Sequence, residues 1–324
     1  MNAPDRDPTP SAEHRLPGID GGNPLAFLAA LGTIRALASA WPDRRIRMSW
    51  SRAGRWQPAL HLDHPATRAE ILAALDTRLH RMRDHPVWSL GPDLTVSPEE
   101  FRDRSARPAA REARHPESPD RTWADFAAAF GSEATTTLDA SKKTLIQDTA
   151  LRTMSGSGHQ HFLQFMRNIV ERTTPEHIEK TLFEPWRYDD PVENQTLRWD
   201  PIDDVHRALR WRDPSGDPRR RHRGGMLGAN RLAIEGLPLL PTIPAGSELR
   251  TTGFRTRRGE GTSWTWPIWS GKLTIDVIRS TLALGPLQHS PDSASLRALG
   301  IVEVYRSRRQ TRDKKRSFSP AQPL

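Results

Sequence analysis

Asn23-Pro24 opens the stretch that most constrains this chain. An asparagine side chain accepts from the first free backbone N–H groups of a helix, and proline at the first helical position already has the required φ. The residues to Ala40 are apolar nearly all round, with Leu25, Phe27, Leu28, Leu31, Ile34 and Leu37. A helix with no polar face belongs at the centre of a core. Trp41-Pro42 ends it, because the residue before a proline leaves the helical region. Gly32 and Arg35 interrupt the apolar run, so it reads as a buried helix and not a membrane span.

Other elements follow by pattern. Ile46–Trp50 and Trp56–Leu62 read as strands joined by a turn at Ser51-Arg52-Ala53-Gly54. Thr67 and Glu70 form a capping box before Ile71, Leu72, Leu75, Leu79 and Met82 at helical spacing. Ser97-Pro98-Glu99-Glu100 is a second capped start, and 120–130 is a helix stopped by Gly131. Residues 102–121 are rich in Arg, Pro, Ala and Glu, as in a mobile connection or a charged helix. Phe162, Phe165, Met166, Ile169 and Val170 share a helix face, and Thr174-Pro175 begins the next helix. Residues 248–256 and 262–269 alternate like two strands around a loop at 257–261. A helix at 274–284 and a strand at 301–306 close the pattern. The expected fold is a helix-rich α+β domain over 15–306 with short antiparallel hairpins. A disordered leader is expected to about His14, and a disordered basic tail from Ser307 onward.

The 324 residues hold no cysteine, which excludes disulfides, Cys-ligated zinc and cysteine nucleophiles. With no signal segment or membrane span legible, a cytoplasmic location is expected. Lys plus Arg number 48 against 39 Asp plus Glu, a formal charge of +9 carried almost entirely by arginine. A GC-rich genome accounts for arginine over lysine but not for base over acid. A polyanionic partner or an acidic protein surface accounts for the sign.

Four segments are candidates for chemistry. The turn 155–158 before His159, Gln160 and His161 places small residues at a helix start, where backbone N–H groups meet anions; Lys142 and Lys143 lie upstream. Its plain reading is an ordinary helix start. The acids Asp189, Asp190, Glu193, Asp200, Asp203 and Asp204 suit a Mg²⁺ site for phosphodiester cleavage, or more commonly caps and turns. Arg219, Arg220, Arg221 and Arg223, with His222 among them, precede Gly224-Gly225 and suit phosphate contacts. Arg250, Arg255, Arg257 and Arg258 stand among Phe254, Trp264, Trp266 and Trp269, a pattern that tracks a backbone and stacks bases, or a normal strand core. Gly271-Lys272 is followed by Leu273, so no P-loop is present. No Ser-His-Asp order or nucleophile elbow is legible, and no metal or cofactor is expected.

Three stretches together resemble a known family. Leu16-Pro17-Gly18-Ile19-Asp20-Gly21-Gly22-Asn23-Pro24-Leu25, continuing to Gly32, is similar to the opening of proteins encoded in type I-G (formerly I-U) CRISPR loci. Leu197-Arg198-Trp199-Asp200-Pro201 resembles their mid-chain motif, and Gly228-Ala229-Asn230-Arg231-Leu232-Ala233-Ile234-Glu235-Gly236-Leu237-Pro238 a later one. The resemblance covers about residues 16 to 240 and implies a small Csb-type effector subunit, a relative of the large subunit, or the helicase-nuclease-extension family. It implies antiviral defence with crRNA or target DNA and other effector subunits as partners; no membrane is expected, and Arg231 is also expected among the basic contacts. It brings no catalytic residues, and the chain lacks the glycine-rich C-terminal loop of crRNA-processing subunits. The expected function is therefore non-catalytic nucleic-acid binding. A metal-dependent nuclease and a protein–protein adaptor are the alternatives.

Overall fold

The computed structural model describes residues 9–117, 120–154, 161–190, 196–203, 224–312 and 315–324. Strand β1 (Ser11–Arg15) leads into α1 (Pro24–Ala40), whose Asn23 Oδ1 accepts from Ala26 N at 3.1 Å. Strands β2 (Ile46–Ala53) and β3 (Arg55–Ala66) form a tight hairpin with Gly54 at its apex, at φ +73°. Helix α2 (Arg68–Arg81) has the expected Thr67–Glu70 capping box. Of the stretch 102–121, residues 102–113 are helical, continuing α3 (Pro98–Phe101) through a wider turn at 102–106 into α4 (Arg107–Ala113). The i,i+4 pairs along this helical run are Glu100–Arg104 and Asp103–Arg107.

Helix α5 (Thr122–Phe130) precedes a hairpin of β4 (Gly131–Leu138) and β5 (Thr144–Asp148). Then come α6 (Phe162–Arg172), α7 (Pro175–Phe183) and α8 (Leu227–Gly236). The expected strand 248–256 is broken. β7 (Glu248–Thr251) pairs with β6 (Thr242–Ala245), and β8 (Phe254–Arg257) pairs with β9 (Gly261–Trp269). Gly253 makes the break at φ +80°, where a Cβ would stand 2.9 Å from Trp264 Nε1. β10 (Leu273–Thr274) is followed by α9 (Ile275–Leu282), α10 (Pro286–His289) and α11 (Ala294–Ala298).

Both ends correct the sequence reading. The leader is ordered from Ser11 as β1, because it covers the edge of β3 and seats Leu16 in the core. The disordered basic tail is absent among the described residues. β11 (Ile301–Arg312) runs far past Arg306, β12 (Lys315–Phe318) returns along it, and β13 (Gln322–Pro323) pairs with its other part. Phe318 anchors the return: it is buried and meets Phe254 and Trp264 at centroid distances of 6.1 and 6.0 Å.

The strands form two main antiparallel sheets, ordered β1-β3-β2-β10 and β12-β11-β9-β8. One cluster of buried side chains runs from Leu16 to Phe318. Phe27 of α1 ties both sheets to the helices, stacking on Trp50 at 5.7 Å and meeting Trp264, Trp266 and Trp269. The buried indoles Trp266 and Trp269 donate to the carbonyls of Gly21 and Met48, both at 2.9 Å.

The three stretches that carry the family resemblance meet here. α1 and α8 approach so closely that a Cβ on Gly32 would stand 1.7 Å from Leu232 O, and one on Gly236 2.6 Å from Leu28 O. Asn23 Nδ2 donates to Asp200 Oδ1 at 3.1 Å, and Leu197 N donates to Asn230 Oδ1 at 3.1 Å. At the same helix crossing, the fully buried Glu235 accepts from Arg231 and Arg35, each at 2.9 Å, with Arg78 at 3.8 Å. Burial alone would raise the Glu235 carboxyl, but Arg231, Arg78 and Arg35 outweigh it and hold it below the usual range. Among the described residues no helix is long and apolar enough to cross a membrane.

Two changes test this centre. Gly32→Ala should destabilise by about 3 kcal/mol or more in denaturant unfolding, because backbone and not a flexible side chain blocks the methyl. A depressed carboxyl contributes stability above its unfolded pKa and loses it as pH falls through the folded value. Glu235→Gln should therefore lower stability at pH 7 and flatten its decline below about pH 4.5, the ordinary Glu value.

Candidate nucleic-acid interface

The expected basic contacts separate in space. Arg231 is 1% exposed and donates to Glu235 Oε1 and to the Leu79 carbonyl, so it belongs to the core and is withdrawn as a contact. Lys142 and Lys143 are exposed in the β4–β5 turn, where Asp139 Oδ1 accepts from Lys143 N at 2.9 Å. Lys142 adopts φ +61°. His161 precedes α6, with Nδ1 4.0 Å from Asp93 Oδ2. His159, Gln160, Arg219, Arg220, Arg221 and Arg223 lie outside the described residues.

Arg250 and Arg255 do converge. They line a cleft of about 410 Å³ together with Asp148, Glu248, Phe254, Thr256, Thr262, Gln288, His289 and Arg309. Three strands, β7, β8 and β11, each send one arginine to it. Arg255 Nη1 donates to His289 Nδ1 at 2.6 Å. Arg257 Nη2 donates to the Gln288 carbonyl at 3.2 Å, and its Nη1 pairs with Glu260 at 3.4 Å. Arg258 is exposed at the adjoining turn. Lys143 stands at the far end of β5 from Asp148, about 17 Å away along an extended strand.

Sequence reasoning counts Arg309 among the cations of a disordered tail, a non-specific electrostatic arm at most, whereas it lies on β11 and lines the cleft. Its Nη2 donates to the Arg152 carbonyl at 2.9 Å, and its Nε has no acceptor among the described residues. Arg152 behind it bridges Asp93 at 2.8 Å and Asp148, so those two carboxylates are already engaged. The available signal was Phe318, the only aromatic past Tyr305. Of the four aromatics read beside the arginines, Trp264, Trp266 and Trp269 are fully buried core, and Phe254 alone lines the cleft.

Three of the acids, Asp190, Asp200 and Asp203, serve as caps and ties. Asp190 Oδ2 accepts from Leu227 N at 2.6 Å at the start of α8, and Asp190 Oδ1 faces His177 Nε2 at 3.5 Å. Asp200 accepts from Asn23, from Ile202 N and from the Tyr188 hydroxyl at 3.0 Å. Asp203 accepts from Thr196. Asp189 is exposed, and Glu193 and Asp204 lie outside the described residues. Among the described residues the one His/carboxylate group close enough to share an ion is His85, Glu112 and Asp120. His85 Nδ1 accepts from Val87 N at 3.1 Å, which puts the proton on Nε2 and removes the lone pair a metal needs.

One arrangement was invisible in the sequence order. On the outer face of the first sheet, Ser49 Oγ lies 2.7 Å from His61 Nε2, and His61 Nδ1 lies 3.5 Å from Glu13 Oε2. Burial, then Lys272, lowers the His61 pKa, so the ring is neutral at pH 7. A carboxylate only accepts, so Nδ1 carries the proton and Nε2 accepts from Ser49. No protein-family model matches the chain, and no curated protein matches its sequence.

The two kinds of arginine are separable by stability. Arg231→Gln should cost about 3–5 kcal/mol in denaturant unfolding, because it strips a buried carboxylate of its closest partner. Arg250→Gln and Arg258→Gln, on exposed side chains, should each stay within about 0.5 kcal/mol of wild type.

Proposed function

We propose that this protein is a non-catalytic nucleic-acid-binding protein whose interface is the arginine cleft between β7, β8 and β11. The observation that supports it is the convergence of Arg250, Arg255 and Arg309 on one concave surface whose carboxylates are too few to neutralise them. Phosphate is the abundant anion that such a spread of guanidinium groups fits, through charge-assisted and bidentate hydrogen bonds. The exposed Arg258 and the segment Arg219–Arg223 extend the basic character along the chain. Work in a type I-G CRISPR interference system, beside crRNA or target DNA and other effector subunits, rests on the three resembling stretches. Their residues build the crossing of α1 and α8, so the resemblance speaks to a common core, while the cleft arginines lie outside it.

The test is fluorescence anisotropy with labelled single-stranded RNA, single-stranded DNA and duplex DNA at several salt concentrations. Binding should weaken steeply with salt. Replacing Arg250, Arg255 and Arg258 together by Gln should lower the log–log salt slope on single strands by about 2, from about 0.7 per phosphate contact. Absence of binding to all three at low salt sinks the reading, and stable co-purification with an acidic partner protein would then favour the adaptor.

The Glu13–His61–Ser49 row favours a second, catalytic reading, since a serine donating to a neutral imidazole held by a carboxylate is a nucleophile arrangement. A fluorophosphonate probe decides it. Labelling at Ser49 that His61→Ala abolishes would establish a reactive serine; no labelling leaves the row a polar network on a sheet face.

A further inference from the structure

We propose that the cleft seats one unstacked nucleotide of a single strand, its phosphate on Arg309, Arg255 and Arg250 and its base against Phe254. The proposal rests on the nucleic-acid reading above and narrows it to a polymer and a mode of contact.

Arg309 is the first argument. A guanidinium taken largely out of water normally has a carboxylate to offset its lost hydration. Arg309 makes no ion pair among the described residues, and its Nε is buried without an acceptor. Two carboxylates share the cleft with it: Asp148 is held by Arg152, as is Asp93 behind, and Glu248 makes no ion pair with Arg309. Burial, then Arg316, pushes the Arg309 pKa down to about 10. An anion in the cleft supplies the missing counter-charge, and Arg255 and Arg250 reach the same space from β8 and β7.

Phe254 is the second argument, independent of charge. It stacks on Trp264 with centroids 5.6 Å apart and an interplanar angle of 5°. Trp264 is fully buried, so it backs Phe254 as a fixed plate, and Phe254, only partly buried, lines the cleft. A partly exposed aromatic ring backed by a buried indole and lining a cleft can serve as a stacking platform, and base stacking on such a ring does not depend on sequence. The Thr256 and Thr262 hydroxyls and Gln288 share the lining and offer donors and acceptors to a sugar or a base edge.

Size is the third. A cleft of about 410 Å³ is in the range of single small-ligand sites. It admits one nucleotide unit. A base inside a duplex reaches Phe254 only by leaving its stack, which costs a few kcal/mol that a single strand does not face. Single strands are therefore favoured by the shape, and phosphate charge alone would not separate them from duplex.

The experiment is anisotropy at one low salt concentration with labelled oligo-dT, oligo-rU, an abasic strand and a duplex of equal length. The proteins are wild type, Phe254→Leu, Phe254→Tyr and Arg255→Gln, each checked for an unchanged unfolding midpoint. Wild type should bind either base-bearing strand at least about ten-fold tighter than the duplex and the abasic strand. Phe254→Leu should lose about ten-fold on the base-bearing strands with an unchanged salt slope, and Phe254→Tyr should recover it. Arg255→Gln should weaken all four probes and reduce the slope. Arg309→Gln should act as Arg255→Gln does, but Arg309 is wedged against Arg152, so Arg255 and Phe254 carry the decision if it fails to fold. Equal affinity for duplex and single strand, or Phe254→Leu binding as wild type does, overturns the seat and leaves general nucleic-acid binding standing. No binding to any probe overturns both.

Discussion

The close crossing of α1 and α8 is the constraint on which the rest depends. Two glycines bring the backbones together, Gly32 against Leu232 and Gly236 against Leu28. At so short an approach the helices leave little room for side chains between them, and the polar groups at the crossing must satisfy one another. They do so through Glu235, which gathers Arg231 of its own helix, Arg35 of α1 and Arg78 of α2. A buried charge cluster of this kind adds little over an apolar core of the same shape, yet losing one partner is costly. It fixes which faces of three helices meet, and Phe27 then carries that placement to both sheets through its ring of tryptophans.

The cleft is a consequence of that placement at one remove. The second sheet is held against α1 by Trp264, Trp266 and Trp269, so β9 is fixed, and β8 and β11 follow by pairing on its two sides. Gly253 breaks the strand before β8 and turns β7 away toward β6, opening space between β7 and β8. Arg250 and Arg255 then line one cleft from two strands instead of running along one strand. Arg309 reaches the same cleft because β11 continues past Arg306 and is held there by pairing with β12, Arg309 opposite Phe318.

Local signals in the sequence were reliable where one residue type has one mechanical use. Asn23-Pro24, the Thr67–Glu70 box, the Ser97–Glu100 box and Gly131 all sit at the helix ends their chemistry implies. The errors arose where composition stood in for contact. The C-terminal segment reads as solvated because it is basic, and its single aromatic, Phe318, carries too little weight in any average to reveal a strand. Arg231 reads as a contact because arginine usually meets water, whereas its partner Glu235, one turn on, marks a buried pair only once α1 is known to cover it. The division of 248–256 into two strands of different sheets is a tertiary fact. Gly253 announces a bend, but the partner of β7 lies upstream at Thr242–Ala245. The row of Glu13, His61 and Ser49 likewise depends on strand register and follows no sequence order.

What joins fold and function is where the protein leaves positive charge unanswered. Around Glu235 the arginines are matched by geometry and buried; Arg309 is largely buried yet makes no ion pair among the described residues, and it borders a cleft with Arg250 and Arg255. The measurement that tests this most directly is hydrogen exchange, read by mass spectrometry, with and without a saturating single-stranded oligonucleotide. The account predicts slowed exchange in 248–257 and 305–312, which border the cleft, and unchanged exchange in β2 and β3. Protection confined to the first sheet, or no change in 248–257 and 305–312 under saturating ligand, would contradict it.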